Sequence, residues 1–233
     1  MKERIYSIPL TDALNEGCGC ILCTLEKKLE NDALEYFLGP SMMEPDGREL
    51  TNEKGFCRRH LPMLFNKGNR LGLALVLETH IKELSKKITP EKKSGFMKKG
   101  YDAALTAKKI FAASESCALC DKLNSQIRDA AGNFAYLWEK EQDFRLKFAT
   151  EGQLCPEHAA VILSVCENEL SGKVRDEFID MIVAGQKLYL ERLYDSLHEF
   201  VLSFDYRNAN KPLSQKATDS VQTAVKHLAK DID

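Results

Sequence analysis

The sequence predicts an all-α protein, and three observations predict it. The stretch "SGKVRDEFIDMIVAGQKLYLERLYDSLHEFVLSFDY" places Val174, Phe178, Met181, Gly185, Tyr189, Leu193, Leu197, Phe200 and Phe204 at steps of three and four. That spacing is one face of a long helix, expected over 171–205. No alternating apolar and polar pattern of useful length argues for strands anywhere in the chain. Polar, helix-forming runs follow each C-x2-C pair, and Pro156 and Glu157 after Cys155 are the proline and acid expected in a helix's first turn.

The elements follow in chain order. The start, "MKERIYSIPLTDALNEG", is charged and has no apolar segment of the secretory kind, and the longest apolar run, "LGLALVL" at 71–77, is too short to span a bilayer. These features predict a cytoplasmic protein that makes no use of a membrane. Reduced thiols then direct the 8 cysteines toward metal or thiol chemistry before disulfides. Helices are expected after the Cys20-x2-Cys23 pair of "GCGCILCTLEKKL" and after the Cys57-x2-His60 pair of "GFCRRHLPMLF". "NRLGLALVLETHIKEL" is apolar almost all round at its start, which predicts a central buried helix. Residues 82–109 hold 9 Lys against 3 acids, with breaks at Pro90, Gly95 and Gly100, and read as a joint. The break "YRNANKPLSQ" precedes a terminal helix in "KATDSVQTAVKHLAKDI". The organisation predicted is a first helical unit over 1–88, a Lys-rich joint over 89–112, a second unit over 113–207, and a C-terminal loop and helix over 208–233.

The two units repeat one motif. Cys20-x2-Cys23 is followed by Cys57-x2-His60, and Cys117-x2-Cys120 by Cys155-x2-His158, offset by 97 residues for the first pair and 98 for the second. Six of eight cysteines and two of five histidines are thereby used twice in the same order. Three thiolates and an imidazole suit a tetrahedral zinc ion, so each repeat is expected to hold one, through Cys20, Cys23, Cys57 and His60 and through Cys117, Cys120, Cys155 and His158. An iron–sulfur cluster could use the same donors. Haem attachment is excluded, because Thr24 and Asp121 stand where CxxCH needs histidine. A redox dithiol would sit beside a βαβ pattern, and this chain offers helices and matched CxxH partners.

Four protein ligands close a zinc shell, whereas catalytic sites keep a position open. The reading is therefore a non-enzymatic protein with two structural zinc ions, acting as a binding or interaction module for a protein or small-molecule partner. The alternatives are a metal-thiolate redox or metal sensor, an iron–sulfur protein, or an enzyme using a cleft between the halves. The net charge of -2 gives no field for nucleic acid, and the Lys-rich joint lacks interleaved aromatics apart from Phe96 and Tyr101, so nucleic acid is not an expected partner. His80, on the stripe Leu73, Leu77, His80, Leu84, is a candidate for a ligand pocket, with a satisfied core histidine as the plainer reading. Arg207 in "DYR" is a candidate for an anion, against a salt-bridged corner. Trp138 reads as core, Cys166 as a core thiol, and His198 and His227 as surface or half-buried. Cys18, two residues before a ligand in "GCGC", is a candidate redox thiol beside the first set.

The duplicated motif, together with "PDGRELTNEKGFCRRH", "GNRLGLALVLETH", "FAYLWEKEQDFRLKF" and "FDYRN", resembles an uncharacterised family of bacterial cytoplasmic proteins that carries a domain of unknown function. The likeness runs from Leu10 to about Leu228. It implies a bacterial source and metal binding at the eight motif residues, and no activity. The continuation "NANKPLSQK" departs from the more aromatic, Gly-containing one that the resemblance leads one to expect.

Overall fold

A computed structural model describes residues 7–17, 19–93, 99–208 and 212–229. Within them the chain forms α1 (Ser7–Glu16), α2 (Ile21–Phe37), α3 (Pro45–Lys54), α4 (His60–Asn66), α5 (Arg70–Lys87) and α6 (Ala103–Glu115). It continues through α7 (Ala118–Lys140), α8 (Gln142–Glu151), α9 (Pro156–Glu169), α10 (Gly172–Leu202), α11 (Gln215–Thr218) and α12 (Ser220–Ala229). No strand is present among the described residues, where pairing is limited to isolated bridges such as Cys20 with Gln153. The fold is all-α.

Side chains start several of these helices. Asn69 accepts from the Gly72 amide at 2.9 Å to open α5, and Asp102 accepts from Leu105 N at 3.0 Å to open α6. Ser214 accepts from Ala217 N at 3.1 Å to open α11, giving amides that lack an intrahelical acceptor their partner. α10 matches the expected long helix. The expected single terminal helix is instead α11 and α12, separated at Asp219.

The chain divides into two compact units that differ from the expected succession of 1–88 and 113–207. One unit is the continuous segment 28–126; the other combines 1–27 with 127–233. The Lys-rich stretch expected to join two halves lies inside the continuous unit. Its described part is pinned there by Lys109, which reaches Glu91 at 2.5 Å and Thr89 at 3.1 Å.

In the continuous unit, Ala33, Leu34 and Phe37 of α2 and Leu38 just after it pack with Phe56, Leu64, Leu73 and Val76 and with Cys117, Ala118 and Leu119. Phe37 meets Phe56 edge to face at 5.4 Å. α5 contributes one buried stripe, while Leu71 is 72% exposed and Ile81 59%. Among the described residues the helix expected to be buried from "LGLALVL" thus buries only the stripe Gly72, Leu73 and Val76, with α3 and α4 packed against α5. In the discontinuous unit, the Phe134 ring contacts Phe144, Phe148 and Phe178 at 5.4, 4.9 and 6.1 Å, and Trp138 meets Phe178 at 5.0 Å. Burial of each such ring contributes roughly 1.5–3 kcal/mol. Trp138 is core, with the Arg145 guanidinium 4.2 Å from its ring.

Gly55, the first residue of "GFCRRH", sits at φ 59° and ψ -148°, a region closed to side chains, and a Cβ there would lie 2.2 Å from Nε2 of His80. Gly185 is helical, and a Cβ there would meet nothing within 4 Å. Thermal or denaturant unfolding is therefore expected to show Gly55→Ala losing at least about 2 kcal/mol. Gly185→Ala is expected to gain about 0.5–1 kcal/mol in the same measurement.

Candidate metal centres

The eight motif residues come together in two groups of four, and the grouping crosses the repeats. One group is Cys20, Cys23, Cys155 and His158; the other is Cys57, His60, Cys117 and Cys120. The expectation that each repeat fills its own site is corrected: the CxxC of each repeat meets the CxxH of the other. In sequence the second group is nested within the span of the first, and we call them the inner and outer sites. The inner site belongs to the continuous unit and the outer site to the discontinuous one.

Helix starts position the donors. Cys20 and Cys117 immediately precede α2 and α7, with Cys23 and Cys120 in the first turns. Cys155 caps α9 by accepting from His158 N at 3.5 Å, and His60 opens α4 with Cys57 in the turn before it. Free amides and the positive helix end favour thiolate at these places. One hydrogen bond recurs at both sites. The amide after the first cysteine of CxxC donates to the carbonyl two residues before the cysteine of CxxH: Ile21 to Gln153 at 3.2 Å, and Ala118 to Gly55 at 3.0 Å. The crossed pairing is therefore built the same way twice.

The donor geometry is that of a tetrahedron. In the outer site Nδ1 of His158 lies 3.4 Å from Cys20 Sγ, 3.3 Å from Cys23 Sγ and 3.3 Å from Cys155 Sγ, and Cys23 and Cys155 are 3.7 Å apart. In the inner site Nδ1 of His60 lies 3.4 Å from Cys57 Sγ and 3.3 Å from both Cys117 Sγ and Cys120 Sγ, with Cys57 and Cys120 at 3.7 Å. A single ring nitrogen has one lone pair or one proton and cannot serve three sulfurs by hydrogen bonding. Bonds of about 2.3 Å to sulfur and about 2.0–2.1 Å to nitrogen around one ion would put sulfurs about 3.8 Å apart, and sulfur and nitrogen about 3.6 Å apart. The residues fit one ion per site, held by three thiolates and an imidazole.

The crowding is visible in proton affinities. Hydrogen bonds to Cys20 and Cys23, opposed by burial and aided by His158, hold the Cys155 thiol far below its ordinary range, while bonds to Cys155 and Cys20 push Cys23 far above it. Burial raises Cys117, but His60 and the Cys120 amide bring it down to about 6; burial and the Cys117 charge push Cys120 well up. Burial lowers both histidines, yet the neighbouring thiolates lift each to about 9, with Glu30 adding to His60. Thiolates this close repel one another unless protons or a cation neutralise them.

Each histidine also has a carboxylate at its far nitrogen, which the sequence reading missed. Glu30 Oε1 lies 2.9 Å from Nε2 of His60 and 2.8 Å from Arg59, and is buried. Glu26 Oε2 lies 3.5 Å from Nε2 of His158. The hydrogen bond to His60, with Arg59 beside it, holds the Glu30 carboxyl below the usual carboxylate range against the opposing effect of burial.

The other candidates lie apart from the donors. Nδ1 of His80 donates to the Asn52 carbonyl at 3.0 Å while its ring covers Gly55. Arg207 binds both oxygens of Asp205, down to 2.8 Å, and is exposed. Cys166 is buried and donates to the Leu163 carbonyl at 3.2 Å. Cys18 lies outside the described residues. His227, expected at the surface or half-buried, is buried against Tyr189, with ring centroids 4.1 Å apart.

A model of the family of unknown function DUF6062 matches the chain over residues 1–233. The chain belongs to that family. No curated protein and no solved structure matches it. No helix among the described residues is long and apolar enough to cross a membrane.

The crossed pairing distinguishes two double variants. Cys57→Ser with Cys120→Ser removes donors from the inner site alone and should lower the metal content by one ion per chain. Cys23→Ser with Cys57→Ser, both from one repeat, should remove both ions. Elemental analysis reads the difference, and pairing within repeats would give the reverse pattern.

Proposed function

We propose that the protein is a non-enzymatic, two-zinc helical protein whose ions are structural and whose folded surface serves as a binding or interaction module. The observation that carries the reading is the closed shell: each group supplies four protein donors within 4.8 Å of one another. A structural zinc site has that donor number, and a catalytic one keeps a position for water or substrate. The mutual proximity suits a single ion, whereas an iron–sulfur cluster places several irons between its ligands and spreads the sulfurs further apart. Zinc, a d10 ion without redox chemistry, is the metal that three sulfurs and one nitrogen at tetrahedral spacing favour.

The module reading draws on α10. Leu190, Tyr194 and Val201 lie at steps of four and seven on its C-terminal half, Phe204 follows in the turn after it, and all four are exposed. This stripe suits an apolar face on a protein partner. A second reading, a thiolate sensor, draws on Cys23, Cys57 and Cys120, the partly buried cysteines of the two sites, where the other three are buried.

Protein purified without an affinity-tag metal is expected to contain two zinc ions per chain, and stripping them with a strong chelator is expected to unfold it. Structural zinc contributes an apparent ~10–16 kcal/mol in small zinc peptides, against about 5–15 kcal/mol for a whole domain. Iron in place of zinc, or full helicity in the stripped protein, would overturn the reading. Limiting peroxide separates the sensor: release of zinc at stoichiometric oxidant favours it, and retention favours the staple.

Metal affinity should rise with pH. The metal-free imidazoles, lifted to about 9, and the thiols pushed up beside them carry protons at neutral pH that an entering ion must expel. Zinc competition at pH 6 and pH 8 is expected to show the weaker binding at pH 6, with proton release measurable by calorimetry in buffers of different ionisation enthalpy.

A further inference from the structure

The histidine carboxylates lie on one helix and have no counterpart in the other repeat. Glu26 and Glu30 stand one turn apart on α2. Shifting by the 97-residue offset that relates Cys23 to Cys120 gives Leu123 and Ile127 on α7, both buried apolar residues. The ligands are duplicated, but the groups behind them are not. Nor are the two carboxylates equivalent. Glu30 is 7% exposed, lies 2.9 Å from His60 Nε2, and is fixed from a second direction by Arg59 at 2.8 Å. Glu26 stands 3.5 Å from His158 Nε2, beyond good hydrogen-bond distance, and that nitrogen has no hydrogen-bond partner among the described residues.

We propose that Glu30 is the positioning residue of the inner site: it holds the proton on Nε2 of His60 and so keeps the Nδ1 lone pair aimed at the three sulfurs, a task that Glu26 performs only weakly for His158. This rests on the reading that each group holds an ion. The chemistry is that of a carboxylate behind a ligating imidazole. Accepting the Nε2 proton selects one tautomer, restrains rotation of the ring, and makes the opposite nitrogen a better donor. A buried carboxylate in turn needs its charge met, and Arg59 and the polarised imidazole meet it. α2 therefore supplies Cys23 to the outer site and the orienting carboxylate to the inner one.

The test uses the full-length, zinc-loaded protein. Zinc content and thermal stability are measured first: wild type holding fewer than two ions would overturn the metal reading and the inference with it. With two ions in wild type, the rates of zinc release decide. Transfer of zinc to a chromophoric chelator is compared for wild type, Glu30→Gln, Glu30→Asp and Glu26→Gln. Loss of the carboxylate behind a metal-bound histidine costs about 10- to 100-fold in metal affinity. Glu30→Gln is expected to speed release of one of the two ions by a factor in that range, Glu30→Asp by less, and Glu26→Gln by under about threefold for either ion. Equal effects of Glu30→Gln and Glu26→Gln, or none from Glu30→Gln, would overturn the proposal. A long-range proton–nitrogen NMR correlation on zinc-loaded wild type gives a readout that needs no variant to fold. His60 should appear bound through Nδ1, with a slowly exchanging proton on Nε2, while the His158 Nε2 proton exchanges faster. Binding through Nε2, or equal exchange at the two histidines, would contradict it.

Discussion

Three sulfurs and a ring nitrogen drawn to within 4.8 Å of one another, twice in one chain, set the terms on which the rest of this protein folds. Thiols are weak hydrogen-bond donors and thiolates repel, so neither form explains why three of them should converge on one imidazole nitrogen. A cation does. The surroundings of each group serve that convergence: helix N-termini point free amides at the sulfurs, a repeated backbone hydrogen bond ties the CxxC turn to the segment that leads into CxxH, and a carboxylate stands behind each histidine.

The crossed arrangement follows from how the chain is divided. Because 28–126 is compact in itself, it contains the CxxH of the first repeat and the CxxC of the second. The outer segments hold the first CxxC and the last CxxH. Each unit then has one complete donor set, and the inner site sits directly on the apolar cluster that includes Phe37, Phe56 and Leu119. The Gly55 turn illustrates the local cost. A backbone conformation open only to glycine lets the chain pass beneath the His80 ring, offers its carbonyl to Ala118, and delivers Phe56 to the core and Cys57 to the site within three residues.

Much of this was legible in the sequence. The donors announce themselves because metal ligands obey short fixed spacings, and α10 announces itself because eight of its residues recur at steps of three and four. The pairing did not, for a physical reason: two CxxC and two CxxH pairs with the same chemistry satisfy either combination equally well, and only the packing of the intervening helices selects one. Glu26 and Glu30 were hidden in "LEKKLE", which has the mixed charge of a solvated helix surface; nothing in the run marks which acid turns inward. His227 was missed because its helix is amphipathic and short, and its burial depends on Tyr189, nearly forty residues earlier in the chain. The apolar run "LGLALVL" misled in the opposite direction, since hydrophobicity on all sides does not supply neighbours on all sides.

The central claim is that two four-donor shells each join the CxxC of one repeat to the CxxH of the other. A cadmium–proton correlation spectrum of protein loaded with cadmium-113 tests it most directly, because scalar coupling passes only through metal–ligand bonds and names the residues on each ion. Two cadmium resonances are expected, one coupled to the β-protons of Cys20, Cys23 and Cys155 and to the His158 ring, the other to Cys57, Cys117 and Cys120 and to the His60 ring. A single cadmium resonance coupled to Cys20, Cys23 and Cys57 together would contradict the account.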